Sequence, residues 1–223
     1  MRSAVIVSTA RTPIGKAYRG AFNDTQAQAL GGHAISEAVS RSGVDKAEID
    51  DVIMGAALQQ GSTGTNVARQ SALRAGLPTT VSGMTIDRQC SSGLMAIATA
   101  AKQIISDGMT VTVGGGLESI SLVQNEKMNT FRLVDPWLKE NIPSTYMSML
   151  ETAEIVADRY GITRDQQDEF AYQSHVKAAA AIDGGKFNDQ IVPVEVTEVY
   201  VENNKRKERS FTVGMDEGVR RST

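Results

Sequence analysis

Short apolar runs alternate with longer helical runs through the first half of this 223-residue chain. The apolar runs have strand length and little charge, whereas the runs between them have helix length and end near glycine. The apolar runs span residues 4–8, 51–57, 81–89 (a strand with its turn) and 109–113. The helical runs span residues 25–42, 66–75 and 91–106. This alternation predicts an α/β fold, with a mostly parallel mixed sheet and helices on its faces.

The pattern changes near residue 118. Residues 120–143 are irregular, and two helices are predicted after them, one over 146–160 and one opened by the capping-box pair Thr163 and Gln166. A strand over 191–196, extended by 197–201, precedes the polar segment 202–209, which we interpret as a solvated hairpin tip. We therefore predict an N-terminal α/β domain over 1–117 and an inserted loop, or cap, domain over 118–223.

Composition narrows the class of protein. The net charge of -3 gives no reason to expect nucleic acid or an anionic membrane as a partner. One cysteine excludes both an intrachain disulfide and a multi-thiolate zinc site. No basic and apolar leader precedes the first predicted strand, and no apolar run approaches bilayer length. We expect a cytoplasmic protein with no membrane partner.

That single cysteine, Cys90, stands between a predicted strand and a predicted helix. A thiol at a helix start faces unpaired backbone N–H groups and the positive end of the helix dipole, which favour the nucleophilic thiolate. The uncharged run 91–101 predicts a buried helix. Free cysteine is also often a small buried hydrophobe, and position alone favours neither interpretation.

Other candidate motifs have simpler explanations. The run Gly114-Gly115-Gly116 follows a strand, but its spacing is not that of a phosphate loop. We expect it to allow close backbone packing, with the Cys90 turn as one candidate neighbour. His33 and His175 lie in predicted amphipathic helices and are interpreted as surface or packing residues. Met149 can fill a gap in a core or form a flexible wall beside an acyl chain.

Eight short strings follow one another along the chain. They are 10–15 (ARTPIG), 66–70 (NVARQ), 88–93 (RQCSSG), 115–119 (GLES after glycine), 151–154 (ETAE), 164–171 (RDQQDEFA), 191–194 (IVPV) and 216–218 (DEG). Together and in this order they resemble the thiolase family, the acetyl-CoA acyltransferases. The resemblance covers essentially the whole chain.

The resemblance implies a fold and a reaction. The family fold is two similar α/β halves with a loop domain inserted in the first, so this chain would be the first half only. Cys90 would be the nucleophile that takes an acyl group from acyl-CoA as a thioester, and a second acyl-CoA would then give a 3-ketoacyl-CoA. Acyl-CoA and CoA are substrates, and no other cofactor or metal is implied.

The resemblance also implies substrate contacts at two further positions. Met149 falls at an acyl-pocket methionine, although Ser148 and Leu150 stand where short-chain members have histidine and glycine, so the pocket wall differs. Arg220 falls where an arginine lies against the CoA adenine, a contact that suits a guanidinium. The alternative for Arg220 is a loose charged terminus.

The family's activating histidine, second cysteine and oxyanion-hole asparagine all belong to a second half. None of them can be matched here, so we expect a missing C-terminal half in cis or in trans and negligible turnover by this chain alone. The chain would be a truncated product or a subunit of a split enzyme. Uncovered apolar surface predicts a homodimer or higher oligomer, with the strand at 84–86 as the candidate contact.

Two other functions fit parts of the same pattern. One is a decarboxylating condensing enzyme of the same broad fold, which also uses a cysteine at a helix start. The other is a non-catalytic acyl-CoA-binding subunit.

Overall fold

The computed structural model describes residues 2–221. Met1, Ser222 and Thr223, at the outer ends of the two predicted domains, lie outside the described residues. The chain forms two compact units, one of residues 2–128 and 188–218 and the other of residues 129–187 and 219–221. Along residues 2–221, no helix combines the length and apolar character needed to cross a bilayer.

The first unit is built on a parallel sheet of three strands. The strands are β1 (Asp51–Gly55), β2 (Ser82–Ile86) and β3 (Thr112–Gly116), in the order β2-β1-β3. Gly55 pairs with both Ile86 and Gly116, so the three carboxyl ends lie level at one edge. This confirms the predicted α/β fold.

Helices cover both faces of this sheet. They are α1 (Ala27–Ser42), α2 (Val67–Arg74) and α3 (Ser92–Ser106). Val52 and Met54 face the cluster that α1 and α2 complete, whereas Ile53 faces Ala96 and Ala100 of α3. Alternate residues of β1 thus enter two cores, which explains why residues 52–54 are all apolar. The predicted stop of α1 is also confirmed, because Gly43 takes a left-handed conformation there.

The segment at residues 4–8 differs from the prediction. It forms no strand, and Val5, Ile6 and Val7 are exposed. Its apolar sequence suits a buried strand, but a strand also needs a neighbour with free backbone groups. Here Ser8 Oγ donates to the carbonyl of Ala38 at 2.5 Å, a contact with α1 and not with the sheet. The prediction of a first strand is therefore wrong for this structure.

The return segment also belongs to the first unit. Strands β4 (Val194–Glu202) and β5 (Lys205–Val213) pair in antiparallel register, and Val194, Val196 and Val213 pack with Phe22. The predicted polar tip at 202–209 is wrong in extent, because only Asn203 and Asn204, both with positive φ, form the turn. The domain boundary at 117/118 stays a prediction, and the compact units are divided differently because this hairpin packs on Phe22.

An ion pair ties the two ends of the first unit together. Arg11 donates to both carboxylate oxygens of Asp216, at 2.7 and 2.9 Å, and the same carboxylate accepts from the backbone N–H of Ile14. The hydrogen bond from Arg11 is the main reason that the pKa of Asp216 lies below its ordinary range. The segment 11–14 is thereby fixed to the end of the β4–β5 hairpin.

Four further α-helices are found among the described residues. They are α4 (Ile120–Val123) in the first unit, and α5 (Pro136–Asn141), α6 (Met149–Tyr160) and α7 (Arg164–Asp183) in the second. The predicted capping box of Thr163 and Gln166 is confirmed at the start of α7. A second box, of Ser148 and Glu151, opens α6 and was not predicted. None of the residues in α5, α6 or α7 is fully buried.

Gly55→Ala tests the closest contact between the sheet and α3. A Cβ at residue 55 would lie 2.2 Å from the carbonyl carbon of Ser92, a backbone atom that cannot move aside alone. We expect a loss of about 2–3 kcal/mol in the free energy of unfolding, measured by urea titration. Gly214→Ala is the matched control, because its Cβ would meet only ordinary contacts with Pro193 at 3.9 Å. Equal losses from the two variants would contradict the close contact.

Candidate functional site

The carboxyl edge of the sheet carries the candidate site. β2 ends at Ile86, and residues 87–92, which we call the Cys90 turn, lead directly into α3. At the same edge, Glu118 accepts from the backbone N–H of Ala57 at 2.8 Å. In parallel α/β sheets, this edge is where ligands are usually bound. The chain thus places its only thiol at the edge where chemistry is expected.

Cys90 is exposed, so its side chain does not fill the core of this chain. It lies immediately before the N-cap residue Ser91, whose side chain makes no capping hydrogen bond. The first turn of α3 contains no acidic residue. The positive end of the helix is therefore not neutralised locally, an arrangement suited to a negatively charged group.

Glycines allow the start of α3 to reach the sheet. A Cβ on Gly116 would lie 2.9 Å from the Cα of Gly93, and one on Gly114 would lie 2.8 Å from the Cα of Ile97. Side chains at these two strand positions would push the helix away. The interpretation of the 114–116 run as a close-packing device is confirmed, and the contact is with the helix that follows Cys90.

Hydrogen bonds hold the Cys90 turn in an unusual shape. Gln89 has a φ of 49°, in the left-handed region that residues with a Cβ seldom adopt. The carboxylate of Asp87 accepts from the backbone N–H of Gln89 at 2.7 Å. The hydroxyl of Ser92 accepts from Arg88 N–H at 2.8 Å and donates to the carbonyl of Gln89 at 2.6 Å. Our sequence analysis missed Asp87 and Ser92, although an aspartate at a strand end is a known turn signal.

A second group of side chains holds β2, which has a neighbour on one side only. Asn66 donates from Nδ2 to the carbonyl of Gly83 at 2.8 Å and accepts from the Thr85 hydroxyl at 3.1 Å. Arg69 donates to the carbonyls of Thr79, at 2.8 Å, and Val81. Both residues belong to the string at 66–70, so that string has a structural role next to the strand that leads to Cys90.

Helix α3 is not fully buried, contrary to the prediction. Ala96 and Ala100 are buried against the sheet, but Leu94 is 73% exposed and Ile97 is 43% exposed. The uncharged run 91–101 has one face that packs on β1 and β3 and another that nothing in residues 2–221 covers fully.

The second unit contains Met149 and Arg220. Met149 is the first residue of α6 and is 72% exposed. Hydrogen bonds from the backbone N–H and hydroxyl of Ser148 lower the pKa of Glu151, which completes the cap of this helix. Ser148 and Met149 thus have a defined local geometry.

Arg220 lies beside His175. Its backbone N–H is 3.2 Å from Nδ1 of His175, and its Nε is 3.3 Å from Nε2. Since a neutral imidazole has one acceptor nitrogen, only one of these contacts is a hydrogen bond at a time. Both residues line a cavity of about 250 Å³ together with Tyr172, Val176, Ala179 and Arg221. Arg221 forms an ion pair with Asp183, with N–O distances of 2.6 and 2.8 Å.

The two histidines thus have packing partners, as interpreted from the sequence. His33 Nε2 lies 2.9 Å from the carbonyl oxygen of Pro193, which can only accept, so this contact assigns the proton to Nε2. His175 contacts Arg220.

The first unit is thus a parallel α/β layer with an exposed thiol between a strand and a helix at its carboxyl edge. The family model for the N-terminal domain of thiolase matches residues 4–223. The chain therefore belongs to the thiolase family, as its eight strings predicted.

Relatives and a solved structure agree with this assignment. The 3-ketoacyl-CoA thiolase of Bacillus subtilis (strain 168) is 44% identical over 224 residues, which cover 100% of this chain and 57% of the relative. The acetyl-CoA acetyltransferase of Rhizobium meliloti (strain 1021) is 38% identical over 227 residues, covering 98% and 55%. The crystal structure of the Bacillus anthracis acetyl-CoA acetyltransferase superposes with a TM-score of 0.80 at 39% identity, covering 99% of this chain and 56% of that one. The chain spans about half the length of the curated relatives it matches.

Leu94→Gln and Ala96→Gln test the two faces of α3. Leu94 is exposed, so its replacement should change the free energy of unfolding by less than about 0.5 kcal/mol. Ala96 is fully buried against Ile53, so a longer polar side chain there should cost about 3 kcal/mol or more. Urea titration of both variants measures the difference. Similar losses would show that the Leu94 face is covered.

Proposed function

We propose that this chain is the nucleophile-bearing N-terminal part of an acyl-CoA C-acyltransferase, a thiolase. The observation that carries the proposal is an exposed thiol at the carboxyl edge of the sheet, immediately before α3, in a chain of the thiolase family. The names of the relatives, 3-ketoacyl-CoA thiolase and acetyl-CoA acetyltransferase, support the same reaction class.

The proposed first step is acyl transfer to Cys90. Its sulfur attacks the thioester carbonyl of an acyl-CoA, the bond between that carbon and the CoA sulfur breaks, and the proton from Cys90 is passed to the departing CoA thiolate. A second acyl-CoA then loses a proton from its α-carbon, and the resulting carbanion attacks the acyl carbon on Cys90. The bond between that carbon and the Cys90 sulfur breaks, the sulfur takes up the proton, and a 3-ketoacyl-CoA is formed. The reverse direction cleaves the ketoacyl chain with CoA. Coenzyme A thioesters are substrates here, and the proposal needs no other cofactor.

Met149 and Arg220 are the proposed substrate contacts. The exposure of Met149 at the start of α6 supports a role as a flexible apolar wall for the acyl chain. The cavity beside Arg220, with a guanidinium and the ring of Tyr172 in its lining, supports a role in holding the CoA adenine.

The proposed partner is the missing C-terminal half, in cis or in trans. Exposed apolar side chains on the first unit, among them Ile6 and Leu94, support a covering partner. In its absence we expect self-association into a homodimer or higher oligomer, and a monodisperse monomer in sedimentation would contradict this. A cytoplasmic location and a place in fatty acid metabolism remain part of the same proposal.

Acylation of Cys90 is the direct test. The chain is mixed with a C-terminal half that carries the histidine and second cysteine, treated with acetyl-CoA, and its intact mass is measured. We expect one acetyl group on the wild type and none on Cys90→Ala, because the sulfur is the acceptor. The same chain without the partner should show no measurable 3-ketoacyl-CoA cleavage.

Other outcomes point to other functions. The absence of any adduct with the partner present would favour a non-catalytic acyl-CoA-binding subunit. Condensation with a malonyl substrate but not with acetyl-CoA would favour a decarboxylating condensing enzyme. Efficient cleavage of a ketoacyl-CoA by the pure chain alone would refute its dependence on the missing half.

A further inference from the structure

Hydrogen bonds within the Cys90 turn hold both of the peptide planes that flank Gln89. The dihedral angles of Gln89 describe how the peptide plane before it is rotated relative to the plane after it. The N–H of the first plane is held by the carboxylate of Asp87 at 2.7 Å. The carbonyl of the second plane accepts from the Ser92 hydroxyl at 2.6 Å and the Ser92 N–H at 3.0 Å. With both planes held, Gln89 stays at a φ of 49°.

The two groups that hold Gln89 are themselves anchored. Asp87 follows Ile86, the last residue of β2, which pairs in register with Gly55. Ser92 is buried, and its backbone lies against Gly55. The turn is therefore fixed to the sheet at one end and to the first turn of α3 at the other.

Cys90 receives its direction from this arrangement. The peptide plane that follows Gln89 includes the backbone nitrogen of Cys90, so a change in the dihedral angles of Gln89 swings the thiol. Residues with a Cβ prefer right-handed or extended conformations, so Gln89 would leave the left-handed region if its hydrogen bonds were lost. Asp87 has no ion-pair partner within residues 2–221. Its shortest contact in this turn is with the Gln89 N–H at 2.7 Å, and the Ser92 hydroxyl lies farther from the same oxygen, at 3.5 Å.

We propose that Asp87 is a positioning residue for Cys90, which acts by accepting the Gln89 N–H and so holding residue 89 in the left-handed conformation that directs the thiol to the start of α3. This inference rests on the proposed role of Cys90 as the nucleophile. Asp87 acts through Gln89 and touches no substrate. Its required property is an acceptor oxygen at Oδ1, which asparagine also supplies and alanine does not.

The test measures the rate at which iodoacetamide alkylates the folded chain, by intact mass. Because Cys90 is the only cysteine, each adduct that is absent from Cys90→Ala reports on this position. Asp87→Ala should slow alkylation about tenfold, the population ratio that corresponds to the preference of an L-residue against the left-handed conformation. The reason is that residue 89 then leaves the left-handed conformation, so the thiol, which is exposed in its present position, changes direction. Asp87→Asn should restore most of the rate.

A double-mutant cycle with Gln89→Gly identifies the mechanism. Glycine adopts a positive φ without the penalty of a Cβ, so residue 89 no longer needs Asp87 to hold it. In the Gln89→Gly background, Asp87→Ala should therefore have a much smaller effect than in the wild-type background. Equal effects in the two backgrounds would overturn the proposal.

Asp45→Ala is the matched control. Asp45 makes the same kind of contact, accepting from the backbone N–H of Ala47 at 2.9 Å, in a turn that does not lead to Cys90. Its loss should leave the alkylation rate unchanged, while urea titration records any loss of stability in each variant. If Asp87→Ala lowered stability alone and did not change the rate in the folded state, Asp87 would be structural and the proposal would be wrong.

The two proposals fail in different ways. Suppose that acetyl-CoA and a C-terminal half gave no adduct on Cys90, while the alkylation rates of the variants were as expected. The role of Cys90 as the nucleophile would then be refuted, and its positioning by Asp87 would have no catalytic consequence. If the acetyl adduct formed but Asp87→Ala and the wild type were alkylated at equal rates, only the role of Asp87 would be refuted.

Discussion

The structure of the first unit depends on a backbone-to-backbone contact between the start of α3 and the ends of two strands. Gly55 and Gly116 lie in register, and the first turn of α3 passes over both at distances that leave no room for a Cβ. A side chain at either strand position would lift the helix from the sheet. Because Cys90 precedes this helix by two residues, the same contact determines how far the thiol stands from the carboxyl edge.

On the face of the sheet opposite α3, residues at the start of α2 hold the strand from which the Cys90 turn begins. β2 lies at the edge of the sheet, and one neighbouring strand alone would leave its free side open to fraying. Asn66, the N-cap of α2, donates to the carbonyl of Gly83 in this strand and accepts from the hydroxyl of Thr85. Arg69 donates to the carbonyls of Thr79 and Val81, just before the strand begins. Strand β2, which leads to Cys90, is thus held by β1 on one side and by side chains at the start of α2. The Cys90 turn therefore begins from a fixed position.

The sequence predicts the parts of this arrangement that depend on local chemistry. Helix ends marked by Gly43 and by the pair Thr163 and Gln166 are found as expected, because caps are local interactions. The 114–116 run predicts close packing because glycine, which has no Cβ, lets another backbone approach closely. The predicted strand at 4–8 fails because strand formation requires a partner in space. The Asp87–Gln89–Ser92 network could not be predicted, since it needs a left-handed glutamine that composition gives no reason to expect.

The uncovered apolar surface of the first unit includes the helix that follows Cys90. Leu94 and Ile97 are one helical turn apart on α3, and that helix begins two residues after Cys90, so the exposed apolar face continues towards the thiol. A partner that buried this face would remove water from the region of Cys90. Exclusion of water protects a thioester from hydrolysis and strengthens every electrostatic contact made to it. Covering the apolar face and completing the reaction would therefore be one event, which is why we assign both to the same missing half.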